Sequence, residues 1–223
     1  MSILFIAVFY TESRGGYLAV LAVLGSFALK RWGMKKGLIT GAVLIIIAFA
    51  LAPSRMAEMS PYGQSASGRI YAWMEGLVIL KSHPVLGIGM NKFTQYSSRA
   101  AHSAFIKCLA ELGLVGFFVW IALIYTSFKD LIRIEKTSTD TNLILYSRIT
   151  QVSLIGFLTS AFFLSQTYSP ILYILFGITA LLSLQLHTKY EITLPFITNR
   201  DLIIILFLEV VTIIIYKIYM MLF

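Results

Sequence analysis

LIIILFLEVVTIIIY, residues 202 to 216, decides the architecture of this chain. Its apolar residues stand at every angle around a helix, so the sequence has neither the one-sided stripe of a soluble surface helix nor the alternation of a membrane barrel strand. GAVLIIIAFALA, residues 41 to 52, reads the same way. Such segments need surroundings as apolar as themselves, and in lipid a helix satisfies its own backbone hydrogen bonds. Composition extends that conclusion to the whole chain. Of 223 residues, 58% are hydrophobic and 13% are charged, with a mean hydropathy of +0.84. A soluble domain could not bury that much apolar surface and still keep its exterior wet.

The apolar runs cover residues 1–10, 17–29, 37–52, 104–128, 149–168, 170–186 and 202–221. A helix needs roughly 17–25 apolar residues to cross the hydrocarbon, so the pattern predicts an all-α transmembrane bundle of about seven spans. The first run is too short to cross alone. Residues 1–223 form a single transmembrane domain in this reading, and residues 53–101, rich in Ser, Gly and Tyr, form its one sizeable polar loop.

Positive charge is retained on the cytoplasmic side of short loops, which orients the bundle. Lys30, Arg31, Lys35, Lys36, Lys129, Arg133, Lys136, Arg148, Lys189 and Arg200 fall on one side. Arg14, Arg55, Arg69, Lys81, Lys92 and Arg99 fall on the other, mostly spread thinly along the long loop. The first side is predicted to be cytoplasmic and the loop external. Topology also accounts for the net charge of +8, because the cations lie between apolar runs instead of forming one basic face for nucleic acid. The single cysteine, Cys108, has no partner for a disulfide and no metal-ligand spacing around it, and reads as a small apolar helix residue. The first run leads into Glu12 and Arg14 without the basic start and small-residue site of a cleavable signal.

Most candidate chemistry lies in and beside the loop. A helix is predicted from Ser67 to just before Pro84, with Arg69, Trp73, Gly76 and Leu80 on one face. That stripe has two readings, an interfacial anchor or a binding surface. The turn from Pro84 to Asn91, with Gly87 and Gly89, is poor in side chains and lets backbone approach something closely, whether a ligand or packed protein. His102 stands just before a span and is either a cap or a base. Arg14, at the start of another span, suits either lipid headgroups or bidentate phosphate binding. Lys107 and Glu111, one turn apart, read as a structural pair. Asp130, Asp140 and Asp201 all fall on the predicted cytoplasmic side, and the external glutamates are scattered, so an external metal site is not expected.

These elements occur in a recognisable order. Ser67-Gly68-Arg69 with Trp73, His83-Pro84 with Leu86-Gly87-Ile88-Gly89, Ala101-His102-Ser103, and Ala110-Glu111-Leu112-Gly113-Leu114-Val115-Gly116 resemble the signature of the O-antigen ligase and polymerase family. Thr11-Glu12-Ser13-Arg14-Gly15-Gly16 is similar to that family's Ser-Arg-Gly motif. The resemblance implies a GT-C-type glycosyltransferase in the bacterial cytoplasmic (inner) membrane, with its active site facing outside. It implies transfer of a glycan from an undecaprenyl diphosphate donor to the hydroxyl of a glycan, lipid A core or protein acceptor, with inversion and without metal or other cofactor. Its partners would be those substrates and membrane lipids, not nucleic acid. Carried onto this chain, Arg14 and Arg69 would bind the diphosphate, Trp73 would join them at the substrate, Arg69 would stabilise the leaving group and His102 would be the base.

Two departures stand out. Ser103 follows the histidine where the family commonly has Asn. Family members usually have more spans, with the Ser-Arg-Gly motif near the middle, so a motif at Ser13 predicts that this is the C-terminal part of a longer protein. The alternative readings are a transporter or flippase of lipid-linked glycans, for which Glu209 is the clearest ionisable residue deep in a span, and a non-catalytic fragment or subunit.

Overall fold

In the computed structural model, residues 10, 13–50, 64–190 and 197–222 are described, and every regular element among them is helical. The helices are α1 (Arg14–Ala50), α2 (Gln64–Ser82), α3 (Phe93–Tyr96), α4 (Ala104–Thr137), α5 (Thr141–Phe163), α6 (Pro170–Tyr190) and α7 (Asn199–Leu222). Four of them, α4 to α7, are long and apolar enough to cross a bilayer. Helix α1 breaks at Gly33, whose φ of 78° and ψ of 175° are open to glycine and closed to most side chains. Beyond the break the chain turns back. A Cβ on Gly37 would lie 2.6 Å from the Leu29 Cα, although eight residues of continuous helix would separate them by about 12 Å. The two arms of α1 coincide with the second and third apolar runs of the sequence. Residues 1–9, with Glu12, Arg55 and Glu58, lie outside the described residues.

Helix α4 is the centre of the bundle and touches α2, α5, α6 and α7, while α1 packs on α5. Its buried side is built from Cys108, Leu109, Phe117, Trp120, Leu131 and Ile134. Cys108 is a free, fully buried thiol within this face. Helix α7 has two different sides. Asp201, Ile205, Glu209 and Tyr216 are buried, whereas Ile203, Phe207, Val210 and Ile214 face outward as an apolar surface suited to lipid.

Helix boundaries differ from those read in the sequence where caps override hydropathy. The run read as 149–168 is a helix at Thr141–Phe163. It starts early because the Asp140 carboxylate accepts from the amides of Asn142 and Leu143, and it stops where Leu164 turns extended. Within the polar segment 53–101, residues 64–82 and 93–96 are helical. The face of α2 carrying Trp73, Gly76 and Leu80 is buried inside the protein, with Gly76 pressed against Ile106 and Phe93. Among the apolar and aromatic residues of α2, Tyr71, Met74 and Val78 look outward. The stripe is therefore a packing face first.

The alternation of charge along the sequence becomes a separation in space. Lys30 of α1 and Arg148 of α5 both bind Glu135 of α4, Lys129 of α4 binds Asp201 of α7, and Lys189 of α6 binds Asp140. All of these lie at one end of the bundle. The start of α1, the start of α4, the end of α5 and the end of α7 meet at the other.

Candidate active site

The framework of that other end is a backbone stitch between two glycine-containing segments. Gly113 interrupts α4 with a φ of 64°, so the amides of Leu114 and Val115 cannot reach their usual acceptors one turn back. They donate instead to the carbonyls of Pro84 and Val85, at 2.8 and 3.2 Å. The carbonyls thus released, on Ala110 and Glu111, accept from the amides of Ile88 and Gly89 at 3.1 and 2.8 Å. Four groups that a helix break would strand are satisfied by the turn. Such close approach excludes side chains. A Cβ on Gly87 would collide with the Glu111 backbone, and one on Gly113 with the Val85 carbonyl. Of the two readings of the Pro84 turn, the structure gives the packed one.

Glu111 completes this framework. Fully buried, its carboxylate accepts from the amides of Asn91 and Phe93, both at 2.9 Å, and so fixes the start of α3. Lys107 does not pair with it as the sequence spacing suggested. Its ammonium donates to Asn91 Oδ1 at 2.9 Å and lies 5.0 Å from the centre of the Tyr168 ring. Both residues are structural, but through the same turn and not through each other. Burial pushes the Tyr168 phenol up, and its neighbour Glu111 adds to the shift.

His102 sits on this framework in a left-handed conformation, with a φ of 47°. Outside glycine that conformation is uncommon and persists where the surroundings hold it. Here each neighbour is held. The Trp73 indole donates to the Ala101 carbonyl at 3.0 Å, and the His102 amide donates to Ser165 Oγ at 2.9 Å. Ser103 Oγ and the Tyr216 hydroxyl are 2.7 Å apart, and Thr167 donates to the Ala104 carbonyl at 2.8 Å. The backbone is fixed from α2, α7 and the segment after α5, while the imidazole is exposed and makes no hydrogen bond among the described residues.

Beside this frame is a cleft of about 260 Å³ lined by Arg69, Trp73, Phe162, Phe163, Tyr216 and Tyr219. Trp73 meets the Tyr216 ring edge-on with centroids 5.0 Å apart, which makes one wall. The Arg69 guanidinium lies 5.9 Å from the centre of the Phe163 ring and has no ion-pair partner among the described residues. Phe163 also packs on Gly15, where a Cβ would stand 3.1 Å from the Phe163 Cβ. The start of α1 therefore reaches the same aromatic residue as Arg69. Ser13 caps that start by accepting from the Gly16 amide at 3.2 Å. Arg14 opens the helix there, but its side chain lies outside what is described. The structure brings Arg69 and Trp73 to one cleft and sets the start of α1 against the Phe163 that lines it. His102 is joined to it through Trp73 and Ala101 but does not line it.

A family model described as O-Antigen ligase matches residues 1–121, more than half of the chain. The chain belongs to the O-antigen ligase family. No curated protein and no solved structure matches it. With its apolar helices, membership makes it a membrane protein of a family of glycan ligases.

Most of this ligase-family cleft comes from outside the matched segment. Phe162 and Phe163 end α5, Ser165 follows it beside the cleft, and Tyr216 and Tyr219 belong to α7. Sequence reading missed them because they are single aromatic or hydroxyl residues at the ends of apolar runs. The one available signal is the spacing of Tyr216 and Tyr219, three apart on a helix otherwise made mostly of aliphatic residues. Arg99 was also passed over as one more loop cation.

Proposed function

We propose that the chain transfers a glycan from an undecaprenyl diphosphate donor to an acceptor hydroxyl at the outer face of the bacterial cytoplasmic membrane. Arg69, with Arg14, holds the diphosphate and stabilises it as it leaves. His102 takes the proton from the acceptor hydroxyl, and Trp73 forms the wall between the two. Displacement by the acceptor with diphosphate as leaving group inverts the anomeric carbon, and stabilising that leaving group supplies much of the rate. The observation that carries this reading is an arginine without an ion-pair partner among the described residues at an aromatic cleft, joined through Trp73 to a histidine whose unusual backbone is held by four hydrogen bonds at residues 101–104. Metal independence is part of the proposal. The aspartates Asp140 and Asp201 are engaged by lysines at the far end of the bundle, and Glu111 is engaged by backbone amides. GT-C architecture, the cytoplasmic membrane as location and about seven spans with an external segment at residues 53–101 belong to the same reading.

One observation favours the alternative of a carrier for lipid-linked glycans. Glu209 is buried in α7, and its Oε1 has no hydrogen-bond partner among the described residues. An ionisable group of that kind inside a span commonly marks a translocation path. A single assay separates the two. Labelled undecaprenyl diphosphate glycan and an acceptor are incubated with membrane vesicles in EDTA, using the chain and its His102→Ala and Arg69→Ala variants. Transfer that survives EDTA and falls by about a hundredfold or more in each variant is expected for a positioned base and a leaving-group contact. Donor crossing the vesicle wall without any product would sink the transferase reading and leave the carrier.

A further inference from the structure

Gly68 stands in the first turns of α2, directly before Arg69, and is buried. What fills the space above it is the guanidinium of Arg99. A Cβ at Gly68 would take the place occupied by Arg99 Nη1. The segment carrying Arg99 is anchored to the same helix, because the Ser97 hydroxyl donates to Glu75 Oε2 at 2.5 Å and the Arg99 amide donates to Ser97 Oγ at 3.2 Å. One turn of α2 thus carries two arginines at adjacent positions, Arg69 by sequence, over the Phe163 ring, and Arg99 by docking on the glycine before it. Neither forms an ion pair or a side-chain hydrogen bond among the described residues, and the nearby Glu75 is engaged by Ser97. Two like charges on one helix turn, with no acid paired to either among the described residues, suit a ligand with more than one negative charge. Arginine forks match phosphate oxygens bidentately, and two forks match two adjacent phosphates better than one.

We propose that Arg99 is a further binding residue for the donor, pairing with Arg69 across Gly68 to grip both phosphates of the diphosphate. This rests on the donor assignment above and adds to it the discrimination of diphosphate from monophosphate. Gly68 has its own part, since its missing side chain is what admits the second guanidinium.

The full chain in nanodiscs of zwitterionic lipid is titrated with undecaprenyl diphosphate, undecaprenyl monophosphate and phosphatidylglycerol. Loss of one charge-assisted contact predicts that Arg99→Ala weakens the diphosphate about tenfold or more and the monophosphate by much less. Gly68→Ala keeps every charge but displaces the flexible tip of Arg99, so it is expected to show the same selective loss with unchanged thermal unfolding. Arg99→Lys restores charge without the fork and should recover only part of the affinity. Equal weakening of all three lipids would make Arg99 a general headgroup contact and overturn the proposal, as would unchanged diphosphate affinity in both Arg99→Ala and Gly68→Ala. If the unaltered chain binds phosphatidylglycerol but neither undecaprenyl lipid, the donor assignment itself fails and this proposal with it.

Discussion

The two ends of the bundle use their carboxylates differently. At the far end, Glu135, Asp140 and Asp201 each hold a cation from another helix. At the site end, Glu111 holds two backbone amides and Glu75 a serine hydroxyl. Acidic groups at the first end tie helices together. At the second they shape loops, and Arg69 and Arg99 have no ion-pair partner among the described residues. A family whose substrates are lipid-linked glycans and their acceptors has a use for that difference.

The contrast can be broken most severely through the stitch that shapes the site end. Gly113→Ala forces a side chain into a left-handed conformation and against the Val85 carbonyl. Strain of that kind costs roughly 1–3 kcal/mol by itself, and the lost stitch adds to it. Unfolding in detergent is expected to shift markedly downward, and transfer to disappear with the framework. A Gly113→Ala chain as stable as the original would mean that the stitch contributes nothing.

Glu111→Gln makes a gentler cut at the same place. The amide oxygen can still serve one of the two backbone donors, so the other is left buried and unpaired at a cost of about 1–3 kcal/mol. Hydrogen exchange should quicken at Asn91 or Phe93 while Leu114 and Val115 remain protected. Quickening at all four amides would show that Glu111 and the stitch are one unit.

Tyr216→Phe tests whether α7 belongs to the site or only covers it. The ring stays against Trp73 and only the bond to Ser103 is lost, worth about 1 kcal/mol. A fall of a few fold in kcat with KM unchanged is expected if that bond steadies His102. The same substitution combined with Ser103→Ala should cost no more than either alone, because both remove one interaction.

The smallest effect belongs to the far end. The Lys189 ammonium holds the Asp140 carboxyl below its ordinary range, with the Leu143 and Asn142 amides helping. A lowered pKa in the folded state stabilises fully above the ordinary carboxylate value of about 3.9, and that contribution fades as pH falls through the lowered value. Asp140→Asn should therefore flatten the acid side of a stability profile while leaving transfer at neutral pH unchanged. A loss of transfer would show that the two ends are coupled.

Much of this was legible in the sequence, for reasons that also mark where legibility stops. Leu202 to Tyr216 can only be a helix in apolar surroundings, and the basic clusters assigned each helix end to a side of the bundle. The glycines of Gly87-Ile88-Gly89 announced a close approach, but nothing local to them names Gly113 as the partner. Trp73 could be placed on a face, yet whether that face met lipid or protein depended on Ile106, Phe93 and Tyr216, which lie far along the chain. His102 was visible as a titratable group at a helix start. Its left-handed backbone was not, because the contacts that hold it come from Trp73, Ser165 and Tyr216. Local spacing reports what one helix wants, and a site made from four helix ends is settled by their meeting.

The Ser103–Tyr216 bond also bears on when the site comes into being. A ribosome makes α2, α4 and α5 well before α7, so the cleft, the stitch and the loop can assemble while its last wall is still unmade. The histidine's surroundings are complete only after α7 has inserted and turned Tyr216 inward. Synthesis order alone therefore leaves these surroundings incomplete until the last described helix is in place.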